Sequence, residues 1–512
     1  MTRSRTGPGS GRIARVPGIV AMAGVIVFAV PFGASRAQEI GADDFRITFG
    51  GTDGDTATDM TDADVAYNAT NDEYLVVFKG DTAVDNRYEI WGQRVDAGGT
   101  LLGSVIRISN MGPALDPAYD ADYPAVAWDS INNRYLVVWE AADNSGSLVA
   151  GELEIWGHIL NGADGSTVVS QFRISQMGTD GDSGTDGRDA DVAFGAAQQE
   201  YLVVWRGDGP NDGADEIYGQ RVSAAGILQG GLGAGTIRSS DLGSTDTDTA
   251  FDALNPAVAW GATQDEFCVV WTGDDDVNGL VDSEIEVFAQ FIQASDGSEV
   301  GTNDLQVSDL GGANGGTTYV AVHGCAIAYN ATDDEFLVVW AGEDNEGAWA
   351  DGEYEIMGQR LSAAARAETG TNDFRITHIG TDGAASNDEA AVEPAVAWDA
   401  VNNRYLAVYR IRDTSAGLAS NEREIAISGL SKAGTVLLDT TRISAMGTGS
   451  GINDLYDGQN PAVAYGGGGT EFLVVWQGDD NTGSLVDGED EIYGQRISAA
   501  SLPIELSVFL AE

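Results

Sequence analysis

The sequence predicts an all-β protein, a seven-bladed β-propeller of four-stranded antiparallel blades. Four short motifs recur in fixed order along the 512 residues, and successive copies of the first are spaced by 60 to 69 residues. That spacing is long for a solenoid repeat and typical of a four-stranded blade. The fourth motif also occurs once before the first blade, which predicts that an N-terminal strand completes the last blade.

The N-terminus, residues 1–37, reads as an export signal. Arginines come first, an apolar run from Val16 to Ala34 follows, and Ser35-Arg36-Ala37 provides a small-residue cleavage site. We expect cleavage after Ala37, with no membrane insertion of the mature chain. The alternative is an uncleaved anchor, because the apolar run is nearly long enough to span a bilayer. In either case we expect the body to be secreted or at the cell surface, with the periplasm as a further compartment.

The charge of the chain excludes one class of partner. The sequence has 80 acidic and 26 basic residues, a formal net charge of −54, and without residues 1–37 it has 80 acidic and 21 basic residues, a net charge of −59. Such a field repels nucleic acids and anionic lipid surfaces and attracts cations or basic partners. We therefore predict no nucleic-acid binding.

The first two motifs predict the inner two strands of each blade. The first is a short apolar stretch, seen as Pro124-Ala125-Val126-Ala127-Trp128 in the second copy. The second follows a polar turn, as in Arg134-Tyr135-Leu136-Val137-Val138-Trp139. Its apolar run is continuous, so both faces of the strand are buried, which is what packing of blades face to face requires.

The third and fourth motifs predict the outer two strands. The third begins with a glutamate in every copy, and the fourth has the form Arg107-Ile108-Ser109. Only six copies of the fourth follow a third motif, and the remaining one is Asp44-Phe45-Arg46-Ile47-Thr48 near the N-terminus. A ring closes securely when its last blade takes one strand from the other end of the chain, because few sheet edges then stay exposed.

These motifs define one domain, 38–500, followed by residues 501–512 as a C-terminal tail or truncated module. The predicted blades are approximately 62–112, 122–178, 189–243, 254–311, 323–380, 392–447, and 459–500 together with 43–49. From Gly41 to Ala500 the chain resembles seven-bladed β-propellers with N-terminal strand closure, in particular the repeat proteins of bacterial secretomes. The resemblance implies architecture but not activity, since propellers include enzymes, lectins and scaffolds.

In a four-stranded meander, the loops from strand two to three and from strand four to the next blade lie on one face. Here those loops are long and acidic, so we expect a binding surface on that face. Asp, Asn and Glu oxygens suit Ca²⁺, although no loop has complete EF-hand spacing, and solvated turn acids are the competing interpretation. The candidate calcium ligands are in the blade-seven loop: Asp479, Asp480, Asn481, Asp487, Glu489 and Glu491.

The glutamates that open strand three are the most regular polar feature: Glu89, Glu154, Glu216, Glu286, Glu355, Glu424 and Glu491. We assign them a structural role, because a residue required in every blade usually builds the blade. The candidate partners are a cation or the arginines of strand three, Arg94, Arg221, Arg360 and Arg496.

One tryptophan lies outside the strand motifs. Trp349 is in the acidic loop of blade five beside Asp351, and the two are candidate ligand-binding residues. The three histidines, His158, His323 and His378, show neither a triad nor zinc spacing. The sequence therefore favours a non-catalytic binding or scaffold module whose partner is an extracellular protein or polysaccharide. The alternative is a polysaccharide hydrolase or lyase that uses carboxylates at the central funnel.

Overall fold

A computed structural model shows the predicted fold class, a seven-bladed β-propeller. It describes residues 38–51, 53–81, 87–113, 116–208, 214–242, 251–275, 285–310, 321–343, 353–380, 389–414, 418, 421–447, 456–481 and 485–502. Each of the seven sheets has four antiparallel strands, and the prediction of a last blade closed from the N-terminus is confirmed.

The strands follow the order of the motifs. Blade seven takes its outer strand from the N-terminus, β1 (Glu39–Arg46). The strands of blades one to three are β2 (Met60–Asn68), β3 (Glu73–Gly80), β4 (Glu89–Asp96), β5 (Leu101–Arg107), β6 (Ala121–Asp129), β7 (Arg134–Ala141), β8 (Glu154–Asn161), β9 (Thr167–Arg173), β10 (Gly187–Gly195), β11 (Glu200–Asp208), β12 (Asp215–Ser223) and β13 (Ile237–Arg238).

The remaining blades repeat the pattern. Their strands are β14 (Ala253–Gly261), β15 (Glu266–Asp274), β16 (Ile285–Gln293), β17 (Glu299–Gln306), β18 (Ala321–Asn330), β19 (Glu335–Gly342), β20 (Glu355–Ser362), β21 (Ala367–Arg375), β22 (Glu389–Asp399), β23 (Arg404–Asp413), β24 (Glu424–Ser431), β25 (Val436–Arg442), β26 (Gly458–Gly466), β27 (Glu471–Asp479) and β28 (Asp490–Ser498). Two 3₁₀ turns, Gly467–Gly469 and Ala499–Ser501, flank the last two strands.

Ring closure joins the two ends of the domain. β1 pairs antiparallel with β28, with Phe45 opposite Gly494 and Arg46 opposite Tyr493. The backbone amide of Ile47 extends the pairing by donating to the carbonyl oxygen of Ile492 at 2.7 Å. The sheet of blade seven therefore depends on residues that are more than 440 positions apart.

The core lies between the blades, as the continuous apolar runs of strand two require. Seven clusters of buried side chains are described, one at each interface between neighbouring blades. Strand two provides the largest fully buried side chains, among them Trp139, Trp205, Trp271, Trp340 and Trp476. Removing one such ring would cost about 3–5 kcal/mol.

Strand register determines which loops share a face. In blade one Met60 is opposite Gly80, Gly80 is opposite Glu89, and Trp91 is opposite Arg107. The start of strand one, the end of strand two, the start of strand three and the end of strand four therefore meet at one end of the blade. The acidic loops lie at this end of the blades. Because strand one is the innermost strand of each blade, its start at this end surrounds the opening of the central channel.

Candidate functional site

The channel opening on the acidic face is surrounded by seven β-bulges. In every blade the pairing of strands one and two shifts near the start of strand one, by one residue in six blades and by two in blade five. Each bulge contains two residues of strand one, and one of these two has a positive φ of 47 to 85°. We call these seven residues the mouth ring: Asp62, Tyr123, Asp189, Asn255, Gly324, Glu393 and Asn460.

Backbone preference explains most, but not all, of the mouth ring. Asp, Asn and Gly adopt the left-handed region most readily, whereas a bulky side chain there is a true outlier. Of the 17 non-glycine residues with positive φ in the described part of the chain, 13 are Asp or Asn, and Tyr123 is the only aromatic one. Tyr123 and Glu393 are thus the two ring members whose side chains the local conformation does not favour.

A second set of residues supports the ring from the end of strand two. We call it the supporting ring: Lys79, Glu140, Arg206, Thr272, Ala341, Arg410 and Gln477. Two of its members cap the mouth ring of the next blade. The amide of Asp189 donates to Glu140 Oε2 at 2.7 Å, and that of Asp62 donates to Gln477 Oε1 at 3.1 Å.

The mouth contains a cavity of about 310 Å³. Its walls are the ring residues of blades one, two, six and seven, the residue that follows each of them, and Ala190 of blade three. Tyr123 is 51% exposed, so its ring is available to a molecule in the cavity. The members of the two rings in blades four and five are all short and neutral: Asn255, Thr272, Gly324 and Ala341.

The cations of the two rings are paired with carboxylates. Lys79 Nζ lies 2.6 Å from Asp122 Oδ1 and 3.7 Å from Asp62 Oδ2. Burial lowers the pKa of Lys79, but these carboxylates outweigh burial and raise its pKa above the ordinary value. Arg206 Nε lies 3.0 Å from Asp189.

Arg410 of blade six is paired in the same way, with its Nη2 2.7 Å from Glu393 Oε1. Beside it the amide of Asn460 donates to Glu393 Oε2 at 2.9 Å. Asn460 Nδ2 lies 3.1 Å from both Asp62 Oδ1 and Gln477 Oε1. The mouth is therefore a connected polar network around an open cavity.

Two carboxylates face each other across strands one and two of blade two. Asp122 is directly opposite Glu140 in the register. The environments of the two carboxylates differ: Asp122 forms an ion pair with Lys79, whereas Glu140 is buried, with 4% of its surface exposed. The pKa of Glu140 is raised to about 7, mainly by burial and also by the charges of Asp189 and Asp122, against the lowering effects of the Asp189 backbone amide and of Arg188. Glu140 can therefore carry a proton at neutral pH beside the ion pair of Asp122 with Lys79.

The predicted calcium ligands act as hydrogen-bond acceptors for nearby loops. Asp480 accepts from the amides of Gly447 and Asn481, and Asp479 accepts from the amide of Gly488 at 2.5 Å. Glu489 is fully buried and accepts from the amide of Gly54 at 2.8 Å. In blade two, Glu152 has the same position and accepts from the amide of Gly181.

The acidic loops are thereby tied to the connections between blades. Asp487 is exposed beside them. Within the described ranges, no three or more His, Cys, Asp or Glu side chains are grouped so that they could hold a metal ion. Calcium ligation by this loop stays a prediction of the sequence. Trp349 and Asp351 lie outside the described residues.

The seven glutamates of strand three are at most 3% exposed and share one set of partners. Each glutamate accepts a hydrogen bond from the hydroxyl of a Ser or Thr that follows strand four. The same hydroxyl oxygen accepts a hydrogen bond from the backbone amide of the residue after the glutamate, as Ser175 does from Ile155 at 2.7 Å. The hydroxyl partners are Ser109, Ser175, Ser240, Ser308, Thr377, Ser444 and Thr48.

The expected arginine partners of these glutamates were wrong. Arg94 and Arg496 of strand three bind Glu73 and Glu471 at the start of strand two, and Arg221 and Arg360 bind Glu200 and Glu335 likewise. The strand-three glutamates instead bind arginines of strand four, such as Arg107 and Arg173. The reason is register: strand three begins at the acidic face, whereas its arginine lies five residues further along, near the opposite face.

The sequence interpretation missed the mouth ring. A partial signal is present, because the ring residue precedes the proline of the first motif in blades two, four, six and seven. The ring position varies between Asp, Tyr, Asn, Gly and Glu, and the residue after it is Ala or Pro in six of the seven blades. The residue before it also varies, so the sequence alone does not single out the ring position.

Comparisons with known proteins add fold neighbours only. No protein-family model matches the chain, and no curated protein matches it. Similar solved structures include an ulvan lyase of polysaccharide lyase family PL25 (9% identity, TM-score 0.48, covering 90% of this chain and 94% of that chain). Another is the β-propeller domain of the Trilobed protease from Pyrococcus furiosus (9%, 0.43, 91% and 100%). A third is an α-L-arabinofuranosidase from Fusarium graminearum (12%, 0.40, 75% and 94%).

Identities of 9–12% assign this chain neither a family nor an activity. In the described part of the chain, no helix has the length and hydropathy needed to cross a membrane.

Proposed function

We propose that this chain is an exported protein that binds a polysaccharide in the mouth of its central channel. The observation that carries the proposal is the mouth ring, in which seven equivalent backbone positions hold five residue types and four of the seven residues line one cavity. Polar side chains such as Asp62 and Asn460 can bind sugar hydroxyls, and Tyr123 offers an apolar ring face. The proposal moves the binding surface from the acidic loops, whose described carboxylates largely bind backbone amides, to the channel.

The test fills the cavity. Ala63 lines it, so Ala63→Trp would occupy the space of a sugar unit. The matched control is Val105→Trp, which places the same side chain at a 44% exposed position on the outer strand of the same blade. We expect retardation of wild type and of the control in native gels that contain a polysaccharide, chosen from galactomannan, xylan, laminarin, pectin, alginate and carrageenan. Ala63→Trp should migrate as it does in an empty gel.

Two results would contradict the proposal. One is wild-type migration that no polysaccharide of the panel changes. The other is equal retardation of wild type and Ala63→Trp, which would place binding elsewhere on the surface.

A second candidate function is hydrolysis of the bound chain, and the Asp122 and Glu140 pair favours it. Side chains directly opposite in an antiparallel pair have Cβ atoms about 4.5–5.5 Å apart, which is compatible with the carboxylate separations of about 5–9.5 Å found in glycosidases. Glu140 would give its proton to the glycosidic oxygen as the C–O bond breaks, and Asp122 would take a proton from the attacking water. Elimination is less favoured, because burial and Asp62 raise the pKa of Tyr123 and disfavour its phenolate as a base.

Hydrolysis is tested by the release of reducing ends from each bound polysaccharide. Glu140→Gln and Asp122→Asn should each abolish release while binding persists. Asp164→Asn, in an exposed turn of the same blade, is the control and should leave release unchanged. Binding without release by wild type would leave the protein a non-catalytic binding module.

A further inference from the structure

We infer that the polysaccharide bound at the mouth is uncharged, and that Tyr123 is the platform on which one of its sugar rings stacks. This inference rests on the proposed function and specifies the ligand class and the principal contact. It follows from two independent features of the mouth, the pairing of its cations and the backbone conformation of Tyr123.

The first feature is electrostatic. A uronate or sulfate group needs a cation that is not already neutralised, but each cation of the two rings is within 3.0 Å of a carboxylate: Lys79 of Asp122, Arg206 of Asp189, and Arg410 of Glu393. An anionic sugar entering the cavity would also lie beside Asp62 and Glu393, which line it. The formal charge of −54 adds a repulsive field over longer distances.

The second feature is the strain at Tyr123. Its φ is 47°, and Pro124 follows, which restricts its backbone further. A left-handed conformation is unfavourable for an ordinary side chain, and such conformations persist where function requires the side chain. Five of the other six blades place Asp, Asn or Gly at this position at little cost.

Glu393 is the other ring member whose backbone conformation is unfavourable. Its role is structural, because it binds Arg410 and the backbone amide of Asn460. Tyr123 instead places its half-exposed ring against the cavity. Stacking on the apolar face of a pyranose accounts for an aromatic side chain here. Asp62 and Asn460, which are joined by a hydrogen bond, line the same cavity and can bind the hydroxyls of that sugar.

The experiment measures two things in parallel by affinity electrophoresis. The first is retardation of wild type by uncharged galactomannan, xylan and laminarin, by anionic alginate, pectin and carrageenan, and by cationic chitosan, at matched ionic strength. The second is the effect of Tyr123→Ala, Tyr123→Phe and Tyr123→Asn. The control is Phe49→Ala, which removes a 64% exposed aromatic ring outside the cavity wall.

We expect retardation by at least one uncharged polysaccharide and none by the anionic ones. Any retardation by chitosan should persist in Ala63→Trp, because it reflects the net charge of −54 and not the mouth. Tyr123→Ala and Tyr123→Asn should weaken binding at least tenfold, Tyr123→Phe less than threefold, and Phe49→Ala not measurably. The melting temperature of Tyr123→Asn should equal or exceed that of wild type, which separates loss of the platform from misfolding.

The outcomes distinguish failure of this inference, on the ligand class or on Tyr123, from failure of the proposed function. Binding to an anionic polysaccharide or to chitosan, abolished by Ala63→Trp, would overturn the uncharged ligand and keep the mouth as the site. Binding to an uncharged polysaccharide that Tyr123→Ala leaves unchanged would overturn the platform. No binding to any of the seven would overturn the proposed function itself.

Discussion

Two rings of side chains lie at the same face of this propeller, and they differ in how strictly the residue type is repeated from blade to blade. The strand-three glutamates, exemplified by Glu154, are the same residue in all seven blades, are buried, and have the same kinds of partner. The mouth ring has the same backbone conformation in all seven blades but five different residue types. The backbone is therefore repeated in both rings, and only the side chains of the mouth ring differ between blades.

The difference separates construction from recognition. A blade needs its glutamate because the carboxylate joins strand three to the turn that follows strand four, where backbone amides would otherwise be unpaired. Most positions of the mouth ring need no particular side chain for folding, although Glu393 binds Arg410 and the backbone amide of Asn460. Differences among seven equivalent positions are then free to serve a single asymmetric ligand, and substitutions in the two rings should have opposite consequences.

The largest effect should come from removing residues 38–48, which provide the N-terminal strand of blade seven. The deletion exposes the edge of β28 and removes Thr48 and Arg46, two partners of buried Glu491. Losing the partners of one buried charge costs about 3–5 kcal/mol by itself, and the open edge adds to that cost. Thermal and urea unfolding should show a large loss relative to the chain that begins at Gln38, and coincident curves would contradict closure by this strand.

A smaller loss is expected for Glu154→Ala in a complete ring. The change leaves the Ser175 hydroxyl and the Met177 amide without their buried acceptor, so we expect unfolding to become easier by about 3–5 kcal/mol. The control is Glu299→Ala, an exposed glutamate on an outer strand, which should change stability by less than about 0.5 kcal/mol. Equal effects of the two variants would show that the strand-three glutamates do not build the blades.

The sequence was sufficient to predict the fold, because each blade of a propeller repeats the same local sequence patterns. Continuous apolar runs such as that of β7 specify a strand buried on both faces, and the displaced copy around Phe45 specifies how the ring closes. Such features depend on composition and order alone. They need no knowledge of which side chains meet across the ring.

The partners of the glutamates and the mouth ring could not be obtained in the same way. Whether Glu89 meets Arg94 or Arg107 depends on strand register, which the motif order leaves open. The mouth gathers single residues from seven blades, so no stretch of sequence contains it. Tyr123 becomes conspicuous only when its positive φ is known.

The supporting ring provides a pH test of intermediate size. Burial raises the pKa of Glu140 to about 7 from an ordinary value of 4.5, so the folded state binds the proton more tightly than the unfolded state. Stability from this group is complete below pH 4.5 and is lost as pH rises through 7. Glu140→Gln keeps an acceptor for the Asp189 amide and removes the charge, so it should raise stability at pH 8 by about 1–3 kcal/mol.

At pH 4.5 the same variant should be close to wild type. Urea unfolding of both proteins across this range, at constant ionic strength, measures the difference in slope. A parallel pair of curves would mean that Glu140 does not hold its proton in the folded protein.

The smallest expected effect reverses the usual direction. Tyr123→Asn puts a residue that tolerates positive φ into a strained position of the mouth ring, so it should raise the unfolding free energy by about 1 kcal/mol. The reciprocal change, Asn255→Tyr, puts the strained residue into blade four, also before a proline, and should lower it by a similar amount. Urea unfolding at pH 7 compares both variants with wild type. A stability loss in Tyr123→Asn would mean that the aromatic side chain of Tyr123 stabilises blade two. Tyr123 would then have a structural role like that of the strand-three glutamates, and the proposed difference between the two sets of residues would be wrong.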